Sequence, residues 1–385
     1  MTTKEQITAL LDKAGITING SKPYDITVYD KRFYKCVVRQ GTLGLGESYM
    51  KKWWDCPSLD QLFDKLLTAR LDKEVKSIIS FINLSIAVFK NIQQRKQAKR
   101  NVKAHYDIGN DLYQVMLDKT MAYTCAYFNN GAKTLYQSQI DKFELSCKKL
   151  GLTKNCKRKR ILDIGGGWGG FAKYAVKNYN VEVVIITLSE NQMELGKKLC
   201  EGLPIEFRLQ DYRDVNEKFD YIVSFGMFEH VGYKNYDAYF DTLDRCLNED
   251  GLSLLHTLGS NKTNIIPDAF VSKYIFPGAH LPSIKLLSKA FEKKVEWVVE
   301  DWHNLNVNYE KTLLEWFKNF DENYHLLDHT KYDKTFYRMW KYYLLSFAGV
   351  FRAREIQLWQ IVLSKNGVRG GYVADYNIDT TNKIF

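Results

Sequence analysis

The sequence has no uncharged apolar run approaching the roughly 18 residues that a membrane-crossing helix requires. No apolar signal core follows Met1-Thr2-Thr3-Lys4-Glu5, and the polar helical pattern there makes a cytoplasmic protein the expectation. The seven cysteines are odd in number and nowhere spaced C-x-x-C. That argues against a disulfide scaffold and against structural zinc, so no metal is expected. Helix-turn-helix, zinc-finger and RNA-binding signatures are missing too, so the net charge of +10 does not imply nucleic acid as a partner. Internal repeats and low-complexity tracts are absent.

Acidic residues are missing from one stretch altogether. Between Glu74 and Asp107 the charged residues are Lys76, Lys90, Arg95, Lys96, Lys99, Arg100 and Lys103. Val75, Ile78, Ile79, Ile82, Ile86 and Phe89 recur there at helical spacing, with Phe81, Leu84 and Val88 widening the face. Two readings stand. The helix belongs to the core of a small domain, or it is interfacial, its basic neighbours gaining up to about 1 kcal/mol each from anionic headgroups. Residues 1–92 are expected to form a small, mostly helical, lipid- or membrane-interacting domain with a strand or two near Ile26–Val38. The polar, basic segment 93–103 lacks an apolar period and reads as a linker. With 45% apolar residues in 385, enough chain remains in 104–385 for a second core.

What this second part has is glycine in one place. Arg160-Ile-Leu-Asp-Ile-Gly-Gly-Gly-Trp-Gly-Gly170 runs from an apolar strand through a glycine-dense turn into a helix, Phe171–Asn178. Gly165, Gly167 and Gly170 allow close backbone approach, and the helix N-terminus offers unpaired N–H groups. The spacing alone fits a dinucleotide site, another nucleotide site or a tight turn. Further strands are expected at Val181–Thr187, Ile205–Leu209, Tyr221–Phe225 and Leu252–Leu255, alternating with helices as in a parallel, doubly wound α/β sheet. Residues 261–350 interrupt it, with one strand at Val295–Glu300 and an otherwise aromatic, helical lid. A hairpin of Leu358–Leu363 and Arg369–Ala374 is expected to supply an antiparallel edge.

Ligands sit at the carboxyl ends of strands in such sheets. A nicotinamide site wants an acid at the end of the second strand, but that strand ends in Thr187-Leu188-Ser189, so NAD is disfavoured. Asp211 and Tyr212, after the third strand, suit an adenine. Glu229 follows the fourth strand and His256 ends the fifth. His256 also reads as a capped strand-end histidine, Cys125 as a buried small side chain, and Asp163 as a structural acid fixing the turn through backbone N–H groups.

His105-Tyr106-Asp107-Ile108-Gly109-Asn110-Asp111, Tyr123-Thr124-Cys125-Ala126-Tyr127-Phe128, the glycine turn, Gln210-Asp211-Tyr212-Arg213-Asp214, Met227-Phe228-Glu229-His230-Val231-Gly232 and Phe351-Arg352-Ala353-Arg354 together resemble the cyclopropane-fatty-acyl-phospholipid synthases. The resemblance runs from about Gly44 to the C-terminus and includes the N-terminal piece that mycolic-acid cyclopropane synthases lack. Gly166 departs from it, since many relatives have cysteine there; both residues are small.

The resemblance implies a class I S-adenosylmethionine-dependent methyltransferase sheet, Rossmann-like, with a helical lid insertion. It also implies transfer of a methylene group to the cis double bond of unsaturated acyl chains in phospholipids. Tyr123, Thr124, Gly165 and Gly167 would hold the methionine part of S-adenosylmethionine, Gln192 the ribose, and Asp211 and Tyr212 the adenine. Methyl transfer to an alkene leaves a carbocation, which needs electron-rich aromatic faces, with Tyr309 and Trp302 as candidates, and a nearby base. The resemblance implies that this base is bicarbonate, held by Cys125, Glu229, His256, Tyr309 and the backbone N–H of Leu258. It implies a peripheral enzyme at the inner face of the cell membrane, acting on a phospholipid bilayer. A homodimer is a further expectation. Two rival activities remain: methyl transfer giving a methyl-branched or methylene product, and a lipid-binding module whose sheet has lost activity.

Overall fold

The computed structural model describes residues 2–71, 108–155, 157–294 and 296–385. The expected helix Val75–Phe89, the basic stretch Lys90–Lys103 with the linker 93–103, and His105 to Asp107 lie outside these residues. The chain divides into two compact units, one gathering Met1–Lys90, Ile265–Pro277 and Tyr309–Ile356, the other Asn91–Asn264, Gly278–Asn308 and Gln357–Phe385.

The first unit is helical around an aromatic core. Thr2 and Glu5 form a capping box that satisfies two orphan N–H groups of the helix Thr3–Lys13. The expected strand near Ile26–Val38 shrinks to β1 (Thr27–Val28), paired antiparallel with β2 (Trp54–Asp55). From Arg32 to Met50 the chain instead forms two helical stretches that meet at a kink at Gly41, where φ is 57°; adjacent Phe33 and Tyr34 are both buried and residues 33–38 do not alternate as a strand would. Tyr342, from the helix Lys334–Arg352, meets Tyr49 at 5.5 Å, Phe63 at 5.4 Å and Phe270 at 4.8 Å. Arg338 lies 3.8 Å over the ring of Tyr49 and pairs with Asp55 at 2.9 Å.

The second unit is a seven-stranded sheet in the order β5-β4-β3-β6-β7-β9-β8. Its strands are β3 (Lys159–Ile164), β4 (Val181–Thr187), β5 (Ile205–Leu209), β6 (Phe219–Phe225), β7 (Leu247–Gly259), β8 (Trp297–Asn304) and β9 (Gln357–Lys365). β3 to β7 are parallel, while β9 runs antiparallel to both its neighbours, β7 and β8. Apolar layers cover both faces, one built on Leu162, Ile222 and Leu255, the other on Ile161, Val223 and Leu254, as alternation along parallel strands dictates. The antiparallel edge is therefore β8, and Arg369–Ala374 forms no strand. Gly370 and Gly371 take φ of 83° and 90°, which ends extension just where the hairpin was expected.

Instead the C-terminal tail straps the helix Leu135–Lys149. Thr380 bonds Asp141 at 2.9 Å, the hydroxyl of Tyr372 donates to the carbonyl of Lys149, and Lys383 reaches Glu144 at 3.1 Å. Glu144 is buried and also accepts from the hydroxyls of Tyr174 and Tyr179, each at 2.7 Å. Lys383→Met removes the cation and leaves those two phenols, so we expect a loss of roughly 1–3 kcal/mol. Denaturant melts check this; an unchanged midpoint means that the phenols alone satisfy Glu144.

Candidate active site at the carboxyl ends of the strands

The sheet order places β3 beside β6, with crossovers leaving in opposite directions, and this switch point opens a cleft at the carboxyl edge. The cleft, counted with the open solvent at its mouth, spans about 1160 Å³ of space not filled by protein atoms. Tyr123, Thr124, Gly165, Gly167, Gln192, Asp211 and Tyr212 all line it.

Local chemistry positions Gly167, Gln192 and Asp211. At Gly167, φ is 58° and an added Cβ would meet only the Gln192 amide nitrogen, at 3.9 Å, so the missing side chain opens on the cleft. Ser189 caps the helix Glu190–Leu199 through the N–H of Gln192. The Thr187 hydroxyl accepts from the Ser189 N–H and donates to Gln192 Oε1 at 3.0 Å, which leaves the amide N–H₂ as the group free to face a ligand. Asp211 is less available than the sequence suggests. Arg213, also lining the cleft, grips both its oxygens, at 2.8 and 2.6 Å.

Asp163 is a correction. It is buried, yet neither carboxylate oxygen has a hydrogen-bond partner among the described residues, so it does not fix the turn through N–H groups. Burial raises its pKa to about 7. Gly166 makes room for it: a Cβ there would come within 2.6 Å of Asp163 Oδ2, so cysteine at this position requires that carboxylate to move.

The residues implied for the anion lie outside the cleft lining. Glu229, in the short turn Phe228–His230 after β6, accepts at Oε1 from the Leu258 N–H at 2.6 Å. That N–H is thereby engaged by the protein itself. Glu229 Oε2 is buried without a partner, and desolvation lifts the carboxyl to about 6. His256, fully buried on β7, faces Gln360 across the β7–β9 ladder, 3.3 Å from Nδ1 to the amide nitrogen. Because the amide donates there, the proton of the neutral imidazole sits on Nε2, a buried donor with no partner. Burial first, then the charges of Lys142 and Lys149, holds its pKa well below the ordinary value. Cys125 is fully buried and its thiol donates to the Ala126 carbonyl.

Tyr309 belongs to the first unit, where Phe351 packs on it at 4.6 Å and Trp316 meets it edge-on at 5.9 Å. Arg352, next to Phe351, bridges Glu310 and Asp60 at 2.8 Å each, so the Phe351–Arg354 motif anchors the segment carrying Tyr309. Trp302 sits on β8, packed against Trp359 at 5.2 Å, and is not part of a helical lid.

Lys142 escaped the sequence reading. It is fully buried on the helix Leu135–Lys149, lines the cleft, and donates to Thr124 Oγ1 at 2.7 Å. Desolvation lowers its pKa to about 7. The available signal was its place on the stripe Leu135, Ser138, Leu145 and Lys149, all buried.

A sequence model of the mycolic acid cyclopropane synthetase family matches residues 93–361. The cyclopropane-fatty-acyl-phospholipid synthase of Escherichia coli (strain K12) is 46% identical over 364 residues, covering 94% of this chain and 93% of the relative. A mycolic acid cyclopropane synthase solved with SAH and CTAB superposes with a TM-score of 0.64 at 33% identity, covering 69% of this chain and 98% of that one. Coclaurine N-methyltransferase, 19% identical with a TM-score of 0.66 over 83% of this chain and 99% of its own, shares the fold. This doubly wound sheet with its glycine-lined cleft is a class I methyltransferase fold, and the chain belongs to the cyclopropane synthase family of enzymes, which includes cyclopropane-fatty-acyl-phospholipid synthase.

Proposed function

We propose that the protein adds a methylene group from S-adenosylmethionine to the cis double bond of unsaturated phospholipid acyl chains, forming a cyclopropane. The 46% identity to a cyclopropane-fatty-acyl-phospholipid synthase over nearly the whole chain carries this reading. The residues fit the cofactor: Gly167 leaves open a space that a side chain would fill, Gln192 presents amide N–H groups, and the Asp163 oxygens lack partners. When bound, S-adenosylmethionine supplies an electrophilic methyl group; after its transfer to one alkene carbon, loss of a methyl proton closes the ring, for a net gain of one CH₂.

The base is proposed to be bicarbonate, with Cys125, Glu229, His256, Leu258 and Tyr309 as its surroundings. The unpartnered Nε2–H of His256 suits a small anion, and Glu229 Oε2 is free to share a proton with one. Burial keeps the imidazole neutral, so it donates without releasing its proton. Aromatic Tyr309 would stabilise positive charge on the acyl chain. Contact with the bilayer is proposed for residues 1–92 and the basic stretch 93–103, whose charge suits anionic headgroups. Among the described residues no helix is long and apolar enough to cross a membrane.

Incubation with S-adenosylmethionine and monounsaturated phospholipid vesicles, followed by mass and product analysis of the acyl chains, tests the proposal. We expect a gain of one CH₂ as a cyclopropane, with turnover on anionic vesicles falling as salt screens the surface; a methyl-branched or methylene product favours the rival transfer, and no mass gain refutes both.

Gly167→Val is expected to abolish cofactor binding, since a β-branched residue is strained at φ of 58° and projects into the cleft. Calorimetry reads this directly; wild-type affinity would remove the turn from the site.

Glu229→Gln is expected to retain fold and cofactor affinity but lose most turnover, and thorough bicarbonate depletion should slow the wild type. Its stability carries a pH signature. Burial lifts the folded carboxyl from its ordinary 4.5 to about 6, so the contribution of this group to wild-type stability is full below pH 4.5 and is lost as pH rises through 6. Glutamine has no such loss, so the variant should gain on wild type by about 2 kcal/mol between pH 4 and 8. A pH-independent difference would contradict a buried, titrating Glu229.

A further inference from the structure

The floor of the cleft holds an ammonium and a carboxylate that do not pair with each other. Lys142 is fully buried and makes no ion pair among the described residues; its one hydrogen bond goes to the Thr124 hydroxyl, at 2.7 Å. Both oxygens of Asp163, which lines the same cleft, are unpartnered. A buried charge left in this state is costly unless a ligand of opposite sign meets it.

With Lys142 protonated, the state that an anionic ligand nearby favours, the hydrogen bond has one sense. An ammonium only donates, so Thr124 Oγ1 accepts from Lys142, and the hydroxyl proton is left to donate elsewhere. The loop has little freedom to turn that donor away. Gln139, one turn before Lys142 on the same helix, donates to the carbonyl of Thr124 at 2.9 Å and to that of Ala122 at 3.4 Å. Thr124 therefore presents an O–H donor to the cleft, backed by a cation, and the ligand group suited to it is an anionic acceptor. Asp163 supplies a charge of the opposite sign for a cationic group on the same ligand.

We propose that Lys142 is a positioning residue for the α-carboxylate of the ligand's amino-acid head, acting through the Thr124 hydroxyl. This rests on the reading of the cleft as the S-adenosylmethionine site. It adds a residue outside the family motifs quoted above and makes the amino-acid head, rather than the adenosine, the part of the ligand whose binding depends on it.

Calorimetry on the full chain with S-adenosylhomocysteine and with 5′-methylthioadenosine, which lacks the amino-acid head, tests the proposal. Lys142→Met should weaken S-adenosylhomocysteine by about tenfold or more while leaving 5′-methylthioadenosine within about twofold of wild type, and Lys142→Arg should recover part of the loss. Thr124→Val removes the donor and keeps the cation, so it should reproduce the selective loss even where the methionine variant folds poorly. Equal losses for both ligands would reduce Lys142 to a structural role and overturn the proposal, as would unchanged S-adenosylhomocysteine affinity in Thr124→Val. A wild-type protein that binds neither ligand would overturn the reading of the cleft itself.

Discussion

The helix Leu135–Lys149 has almost no face left for water. Besides Leu135, Ile140, Phe143 and Leu145 it buries Ser138, Gln139, Asp141, Lys142, Glu144, Ser146 and Lys149. Each buried polar group must find a partner within the protein or cost the stability of leaving one unmade. That demand organises the second unit. Gln139 and Lys142 reach the 122–124 loop, Ser146 accepts from Gln360 on β9, and Lys149 pairs with Asp301 on β8 at 2.8 Å. Asp141 and Glu144 draw in the C-terminal tail. One helix thus ties the cleft wall, the antiparallel edge of the sheet and the tail into a single hydrogen-bonded body, and a shift of any of these would expose or orphan a charge.

Desolvation, more than pairing, sets the charge states where chemistry is proposed. It raises Asp163 and Glu229 and lowers Lys142 and His256. Gln360 ties His256 to the helix Leu135–Lys149, since its amide donates both to Ser146 and to His256 Nδ1. The tautomer of His256 is therefore fixed from the opposite side of the β7–β9 ladder, through a glutamine that carries no reactive group.

Sequence pattern located the strands well where apolar runs were bounded by turns on both sides. Val181–Thr187 and Ile205–Leu209 match β4 and β5 end to end. The glycine turn was legible because few other residues tolerate its positive φ angles. Illegible features shared one cause, dependence on contacts distant in sequence. Lys142 and Glu144 look like solvated charges on a helix until Thr124 and Lys383 are brought to them, and the tail reads as a hairpin until its partner proves to be a helix more than two hundred residues earlier. Asp211 differs in this respect. Its partner Arg213 lies only two residues on and takes both its oxygens, which an acid beside an aromatic ring does not by itself reveal.

The same contrast separates what is general to the fold from what is particular to this chain. A glycine turn at a switch point makes a nucleotide cradle whatever the reaction, which is why an N-methyltransferase of 19% identity shares the architecture. Specificity has to come from groups whose burial makes a wrong ligand costly. Buried polar groups of this kind in the cleft lining are Lys142, bonded to Thr124, and the unpartnered Asp163. Gly166 belongs with these despite having no side chain. By leaving space 2.6 Å from Asp163 Oδ2 it lets that carboxylate stay buried and unpaired, so a residue read from sequence as a neutral exchange of one small side chain for another helps set where the negative charge of the cleft lies.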